Sequence, residues 1–187
     1  MPDSDFFTQL TIAMSNPHKP ELEKLRQTCS TTLKAIPNAN RVSLWKFGED
    51  QAYLQCLLCF DQLDNVYSSD QVLRKANFPE YFAGLTSSNY IMASHAREHQ
   101  STRCFNQDYF IPNQIHSLLD YVLHHDFVPT GVICCESVGR RVEWQEEDLN
   151  ALRKIATIIS MFFCLNKVGR SAGLLTESGL KLAAYLA

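Results

Sequence analysis

The sequence predicts an α+β sandwich, a mostly antiparallel sheet with helices from both ends of the chain available to cover one face. Three observations carry this. Two β-rich segments, RVSLWKF at 41–47 and AYLQCLLCF at 52–60, flank the polar stretch Gly48-Glu49-Asp50-Gln51 in the layout of a hairpin. A second pair, IHSLLDYVL at 115–123 and TGVICCES at 130–137, brackets residues 124–129 in the same way. Apolar residues recurring every three or four positions mark amphipathic helices before the first pair and after the second.

In chain order, Phe6, Leu10 and Met14 give residues 5–15 a helical spacing, and a loop with Pro17 and Pro20 follows. Leu22, Leu25, Cys29 and Leu33 define a helix over 21–35 that ends near Pro37. Residues 61–78 are polar and read as a loop, after which Pro79 is placed to open a short helix in FPEYFAGL. YIMA at 90–93 is a further strand, followed by the irregular stretch ASHAREHQSTRC. The last helix, over 143–166, has Glu146, Glu147 and Asp148 in its first turn, where they favour the helix dipole. Leu149, Leu152, Ile155, Ile159 and Phe162 form one face, and Ile158, Phe163 and Leu165 widen it. A stripe that wide buries more than one side, within the domain or against a partner. The organisation read from this is an N-terminal helical arm over 1–19, one domain over 20–166 and a C-terminal tail or linker helix over 167–187.

The chain has 187 residues, 45% hydrophobic and 20% charged, as expected of one well-buried domain. Its net charge is −3 and its 17 basic residues are scattered, so no stripe is available to neutralise a phosphate backbone and nucleic acid is not an expected partner. No apolar run reaches the roughly 20 residues of a membrane helix, and the acidic start MPDSDFF is unlike a signal peptide. The expectation is a cytoplasmic protein with no membrane partner. Seven cysteines in such a chain are read as reduced core residues. Cys56 and Cys59 are expected on opposite faces of a strand, as are the adjacent Cys134 and Cys135, so neither pair is read as a redox or metal site.

His95-Ala96-Arg97-Glu98-His99 matches H-x-x-E-H, which in one metalloprotease class sets two histidines and a carboxylate on a helix around zinc. That chemistry needs a helix, and none is evident here.

The element order and several local strings resemble the GAF domain, a small-molecule-binding regulatory module of phosphodiesterases, adenylyl cyclases and bacterial signalling proteins. The likeness spans about residues 20–166, and YFIPNQIHSLLDYVL and GVICCESVGRRVEWQEEDLNALRKIA are its most specific strings. They look like the bacterial branch, in which Ser-x-Leu-Asp, Gly-Val-x-Cys-x-Glu and a Trp followed by acids recur in order. The resemblance implies an α/β/α sandwich with the terminal helices on one face of the sheet and a ligand pocket on the other. It places the histidines of ASHAREH in a loop where acids usually fall, so the zinc pattern reads as accidental, and no metal, cofactor or catalytic residue is expected. The Asn-Lys-x-x-Asp/Phe-x-x-x-Asp/Glu signature of cyclic-nucleotide binders is absent, the cysteines do not reproduce the set of the GAF-like free methionine sulfoxide reductases, and no bilin-attachment motif is evident.

By this likeness Ser43, Trp45, Phe60, Cys134 and Glu136 face the pocket from the strands, Tyr81, Phe82, Tyr109 and Phe110 line its cap, and His95 and Arg97 belong to its rim. Asp120 and Glu136 each interrupt an apolar strand, where a carboxylate needs a partner. Arg97, Arg103, His95 or a cationic or amide-bearing ligand could supply it, and a structural ion pair is the competing reading. The function implied is a non-catalytic sensory module that binds an unidentified small molecule and signals through a helical homodimer, with an effector such as a histidine kinase or diguanylate cyclase in cis or trans. A methionine sulfoxide reductase-type enzyme and a fold kept only for dimerisation are the alternatives.

Overall fold

The computed structural model describes residues 3–162; the expected end of the last helix, with Phe163, Cys164 and Leu165, and the 167–187 tail lie outside them. Helices α1 (Asp3–Ser15) and α2 (Glu21–Ala35) precede strands β1 (Arg41–Phe47) and β2 (Tyr53–Asp61). Short strands β3 (Val66–Ser68) and β4 (Val72–Arg74), helix α3 (Pro79–Ser88) and β5 (Tyr90–Ala93) follow. The long hairpin β6 (Ile115–His125) and β7 (Val128–Val138) leads to α4 (Glu146–Phe162). Every ladder is antiparallel, and the sheet runs β3-β2-β1-β7-β6-β5 with β4 also on β2.

The expected sandwich is the observed one. Leu10, Met14, Leu25, Cys29, Leu149, Leu152, Ile155 and Ile159 from α1, α2 and α4 pack on Val42, Leu44, Leu119, Leu123, Ile133 and Cys135 of one sheet face. On the other face, Tyr81, Phe82 and Leu85 of α3, with Phe105 and Phe110, pack on Leu118, Val122, Val132 and Cys134. Alternation along β6 and β7 supplies both sets, so these central strands are apolar at nearly every position because both faces are covered. Pro79 stands at the start of α3, where a missing N–H costs nothing, and Asn89 closes the helix in the left-handed region at φ 63°.

Three local expectations are corrected. Residues 61–78 contain β3 and β4, whose three-residue lengths are too short for a periodic signal. The second hairpin is tighter than expected: Asp126 and Phe127 take φ of 49° and 63°, a two-residue turn matched to strand twist, so Pro129 lies within β7 opposite His124. The third lies in β2. Trp45 pairs with Cys56 but Leu44 pairs with Leu58, which leaves Leu57 as the extra residue of a β-bulge. Parity therefore changes at Leu57. The register sets Cys56 opposite Trp45 and Cys59 opposite Ser43, so the two cysteines share a side of the sheet, while Cys134 and Cys135 do divide between its faces.

Because Leu57 is the residue left out of the ladder, deleting it would leave Cys59 and Asp61 on the cavity side and Leu58 and Phe60 on the helix-covered side. The deletion variant is therefore expected to keep a cooperative thermal transition followed by circular dichroism, with its midpoint lowered by less than about 10 °C. Leu57→Ala, which keeps the bulge, retains the transition. Loss of the cooperative transition in the deletion variant would show that Leu57 is not the residue left out of the ladder.

Candidate functional site

The sheet face away from α1, α2 and α4 carries polar residues in rows that cross the strands. One row runs Asp61, Arg41, Glu136, Leu118 over β2, β1, β7 and β6; the next runs Cys59, Ser43, Cys134, Asp120. Over these rows sits a cap made by α3 and the segment that follows β5. That segment passes through a 3-10 turn, Arg103–Phe105, and a single π-helical turn, Asn106–Phe110, which aims Phe105, Tyr109 and Phe110 back at the sheet. Gly84 lets the two parts of the cap meet, since a Cβ there would lie 2.6 Å from Ser101 Oγ.

Between floor and cap is a cavity of about 50 Å³. Ser43, Trp45, Cys59, Cys134, Glu136 and Leu118 form its floor, Tyr81, Phe105, Tyr109 and Phe110 its roof, and Gln71 and Leu73 one side. It has room for a compact molecule and is several-fold smaller than the roughly 300–1,000 Å³ of a pocket for a drug-sized ligand.

Arg41 organises the first row. Its Nε donates to Asp61 Oδ2 at 2.8 Å and its Nη1 lies 3.7 Å from Glu136 Oε2, which also accepts from the Tyr109 hydroxyl at 3.1 Å. Burial pushes Glu136 above the usual carboxylate range, against the pull of Arg41 and Tyr109. Asp120, fully buried, accepts from the Tyr81 hydroxyl at 2.8 Å through Oδ2; Oδ1 has no hydrogen-bond partner of normal geometry, and the Cys134 thiol is a further polar neighbour of the carboxyl group. Burial raises Asp120 to about 7. Burial and the neighbouring acids push the Cys134 thiol well up, and burial followed by Glu136 takes Cys59 to about 12.

Ser43, Trp45, Tyr81, Tyr109, Phe110, Cys134 and Glu136 thus line the cavity, and Asp120 stands directly behind Tyr81 and Cys134. Four other residues are placed differently. Phe60, beyond the Leu57 bulge, faces the helix-covered core and stacks on Tyr67 at 4.4 Å; Cys59 takes the cavity position. Phe82 packs edge-on against Phe47 inside the second core, away from the cavity. His95 is near the surface with Arg141 and Glu143. Arg97 pins the cap from outside the cavity: Nε donates to Ile115 O at 2.8 Å, Nη2 to Phe110 O at 3.3 Å, and Asn106 Nδ2 returns a bond to Arg97 O at 2.7 Å. The partners of the two acids are therefore Tyr81, Cys134, Arg41 and Tyr109, where a basic loop was expected. Arg41, Cys59, Gln71, Leu73, Phe105 and Leu118 are the residues sequence reasoning missed. Arg41 had a signal: it opens an apolar strand whose hairpin partner ends in Asp61.

His95 and His99 lie in a turn, where the His99 amide donates to His95 O and Ser101 N donates to His99 Nδ1. Among the described residues no group of three or more His, Cys, Asp or Glu side chains is arranged to hold a metal ion.

Removing Arg41 would leave Asp61 and Glu136, on either side of it, without their shared cation, so Arg41→Met is expected to cost about 3–5 kcal/mol in denaturant unfolding. Adding Asp61→Asn and Glu136→Gln should recover most of it. Asp120 has a different signature. Its neighbours are Tyr81 on α3 and Cys134 and Glu136 on β7, with no cation among them, so the folded protein holds its proton to about pH 7 while the unfolded chain releases it near 4. Its contribution to stability therefore falls as pH rises through that window, by an amount on the order of 4 kcal/mol, and is flat above it. Asp120→Asn is expected to gain stability relative to the parent between pH 5 and pH 8, in unfolding curves taken at both. Parallel pH profiles for the two proteins would show that Asp120 is not held protonated.

The sequence matches the GAF domain family over residues 21–162. A comparison with curated proteins gives no match. Among solved structures, the phycocyanobilin-bound GAF domain of a cyanobacterial phytochrome superposes with a TM-score of 0.66 at 14% identity, covering 86% of this chain and 93% of that one. The GAF domain of an Acinetobacter phosphoenolpyruvate-protein phosphotransferase gives 0.65 at 12% identity, with 85% and 90% covered. The free methionine-R-sulfoxide reductase of Neisseria meningitidis, solved with its substrate, gives 0.63 at 11% identity, with 86% and 87% covered. At such identities these likenesses speak for the fold, and the family match over residues 21–162 adds the assignment: the chain belongs to the GAF domain family.

Proposed function

We propose that this chain is a sensory GAF module that binds a compact small molecule between the sheet and the cap and passes its occupancy to the helices on the opposite face. The observation that carries the reading is the cavity itself, floored by polar rows on otherwise apolar strands and roofed by a cap anchored through Arg97. Its size argues against a tetrapyrrole of the kind held by the phytochrome domain. The proposed assembly is a cytoplasmic homodimer working with an effector domain, a histidine kinase or diguanylate cyclase, in cis or trans in a bacterial signalling protein. Exposed Ile12 on α1 and Met161 and Phe162 on α4 support a helical interface. Among the described residues no helix is long and apolar enough to cross a membrane.

The enzymatic alternative needs a thiolate, as the nucleophile of a thiol-based reductase. Burial raises Cys59, Cys104 and Cys134 alike, and the nearby acids raise them further, which favours the binding role. Native mass spectrometry of freshly purified protein tests the proposal, with a dimer carrying one small molecule per chain as the expected result. A monomer without any bound molecule, together with turnover of free methionine sulfoxide, would overturn it.

A further inference from the structure

The polar groups of the cavity are unbalanced. Its ring and phenol donors are spent: Trp45 Nε1 on Ser43 Oγ at 2.8 Å, Tyr81 on Asp120 and Tyr109 on Glu136. Its acceptors are not. Both contacts of Glu136 fall on Oε2, Asp120 Oδ1 makes no hydrogen bond of normal geometry, and Gln71 Oε1 has no partner. Glu136 is 3% exposed and Asp120 0%, so bulk water does not satisfy them. Charge leans the same way. Arg41 is shared between Asp61 and Glu136, Asp120 has no cation, and no side chain lining the cavity is basic. Trp45, Tyr81, Phe105, Tyr109 and Phe110 supply the aromatic surface that attracts cations.

We infer that the cavity takes a compact primary ammonium compound, whose N–H donors meet Glu136 and Gln71 Oε1 and whose short aliphatic part lies against the aromatic roof. Asp120, diagonal to Glu136 on the adjacent strand, stands behind Cys134 and Tyr81 and does not line the cavity. Arg41 Nη1, left without a hydrogen bond, stands outside the lining beside Glu136, so a phosphate or carboxylate ligand would meet no basic side chain and no unspent phenol in the cavity wall. A quaternary ammonium would satisfy the aromatic surface and leave the acceptor oxygens unpaired. This inference rests on the sensory reading above and adds the chemical class of the ligand.

The test uses the full chain and n-propylammonium chloride, with n-propanol, sodium propionate and tetramethylammonium chloride as matched probes at constant ionic strength. Calorimetric titration is expected to give a saturable Kd on the order of 1 mM for n-propylammonium, at least about tenfold tighter than the others. Glu136→Gln should weaken it by about tenfold or more; Gln71→Leu is a second variant with the same expected direction. Equal binding of tetramethylammonium, or unchanged binding by Glu136→Gln, overturns the inference. Binding of propionate or propanol in place of the amine, or a co-purified molecule without an amine, overturns it and leaves the sensory reading standing. No binding of any probe and no co-purified molecule removes both.

Discussion

Both faces of this sheet are covered, and that constraint shapes everything near the cavity. On a sheet with one wet face, an acid on a central strand would simply be hydrated. Here Asp120 and Glu136 sit on β6 and β7, the two most enclosed strands, and each must find its partners in the protein or keep its proton. Glu136 takes the first course through Arg41 and Tyr109, and Asp120 takes the second beside Tyr81. Two carboxylates of similar burial differ because only one has a guanidinium within reach.

Arg41 reaches two acids because of the register at the start of β1, where its cross-strand neighbours are Asp61 on one side and Glu136 on the other. That register depends in turn on one extra residue. Were Leu57 drawn into a regular ladder, β2 would present Phe60 to the cavity, and Asp61 would point into the helix-covered core. A local irregularity in the hairpin thus decides which side chains form the floor, and the polar rows follow from it.

Much of this could be read in the sequence and some of it could not, for physical reasons. The helices over 21–35 and 146–162 and the strands of both hairpins announce themselves because their periodicities repeat for several turns or pleats. The resemblance of the segment around Ser117 to Asp120, and of that around Gly131 to Glu136, located the floor residues on β6 and β7. Phe60 was misplaced because a bulge leaves no mark on a strand that is apolar on both faces: YLQCLLCF is compatible with either parity. β3 and β4 escaped because a three-residue edge strand is fixed by its neighbour's free backbone groups, here those of β2. Cap residues such as Phe105 and Arg97 depend on the path of an irregular segment, which is set by tertiary hydrogen bonds to Ile115 and Phe110 rather than by local propensity.

The same strands that floor the cavity also floor the helical layer. Along β6, Leu118, Asp120 and Val122 face the cavity side while Leu119, Tyr121 and Leu123 face α1, α2 and α4. Arg153 of α4 lies over the Tyr121 ring at 6.0 Å, and the His124 amide donates to Ser160 Oγ at 3.2 Å, so α4 is coupled to β6 by polar contacts as well as by packing. A close-packed interior does not deform continuously. Charge brought into the cavity changes the balance between the Asp120 proton, Tyr81 and Cys134 on one face of a strand whose other face holds α4. The signalling proposed above requires a path of this kind, and the alternation of β6 offers one with a single residue between the two layers.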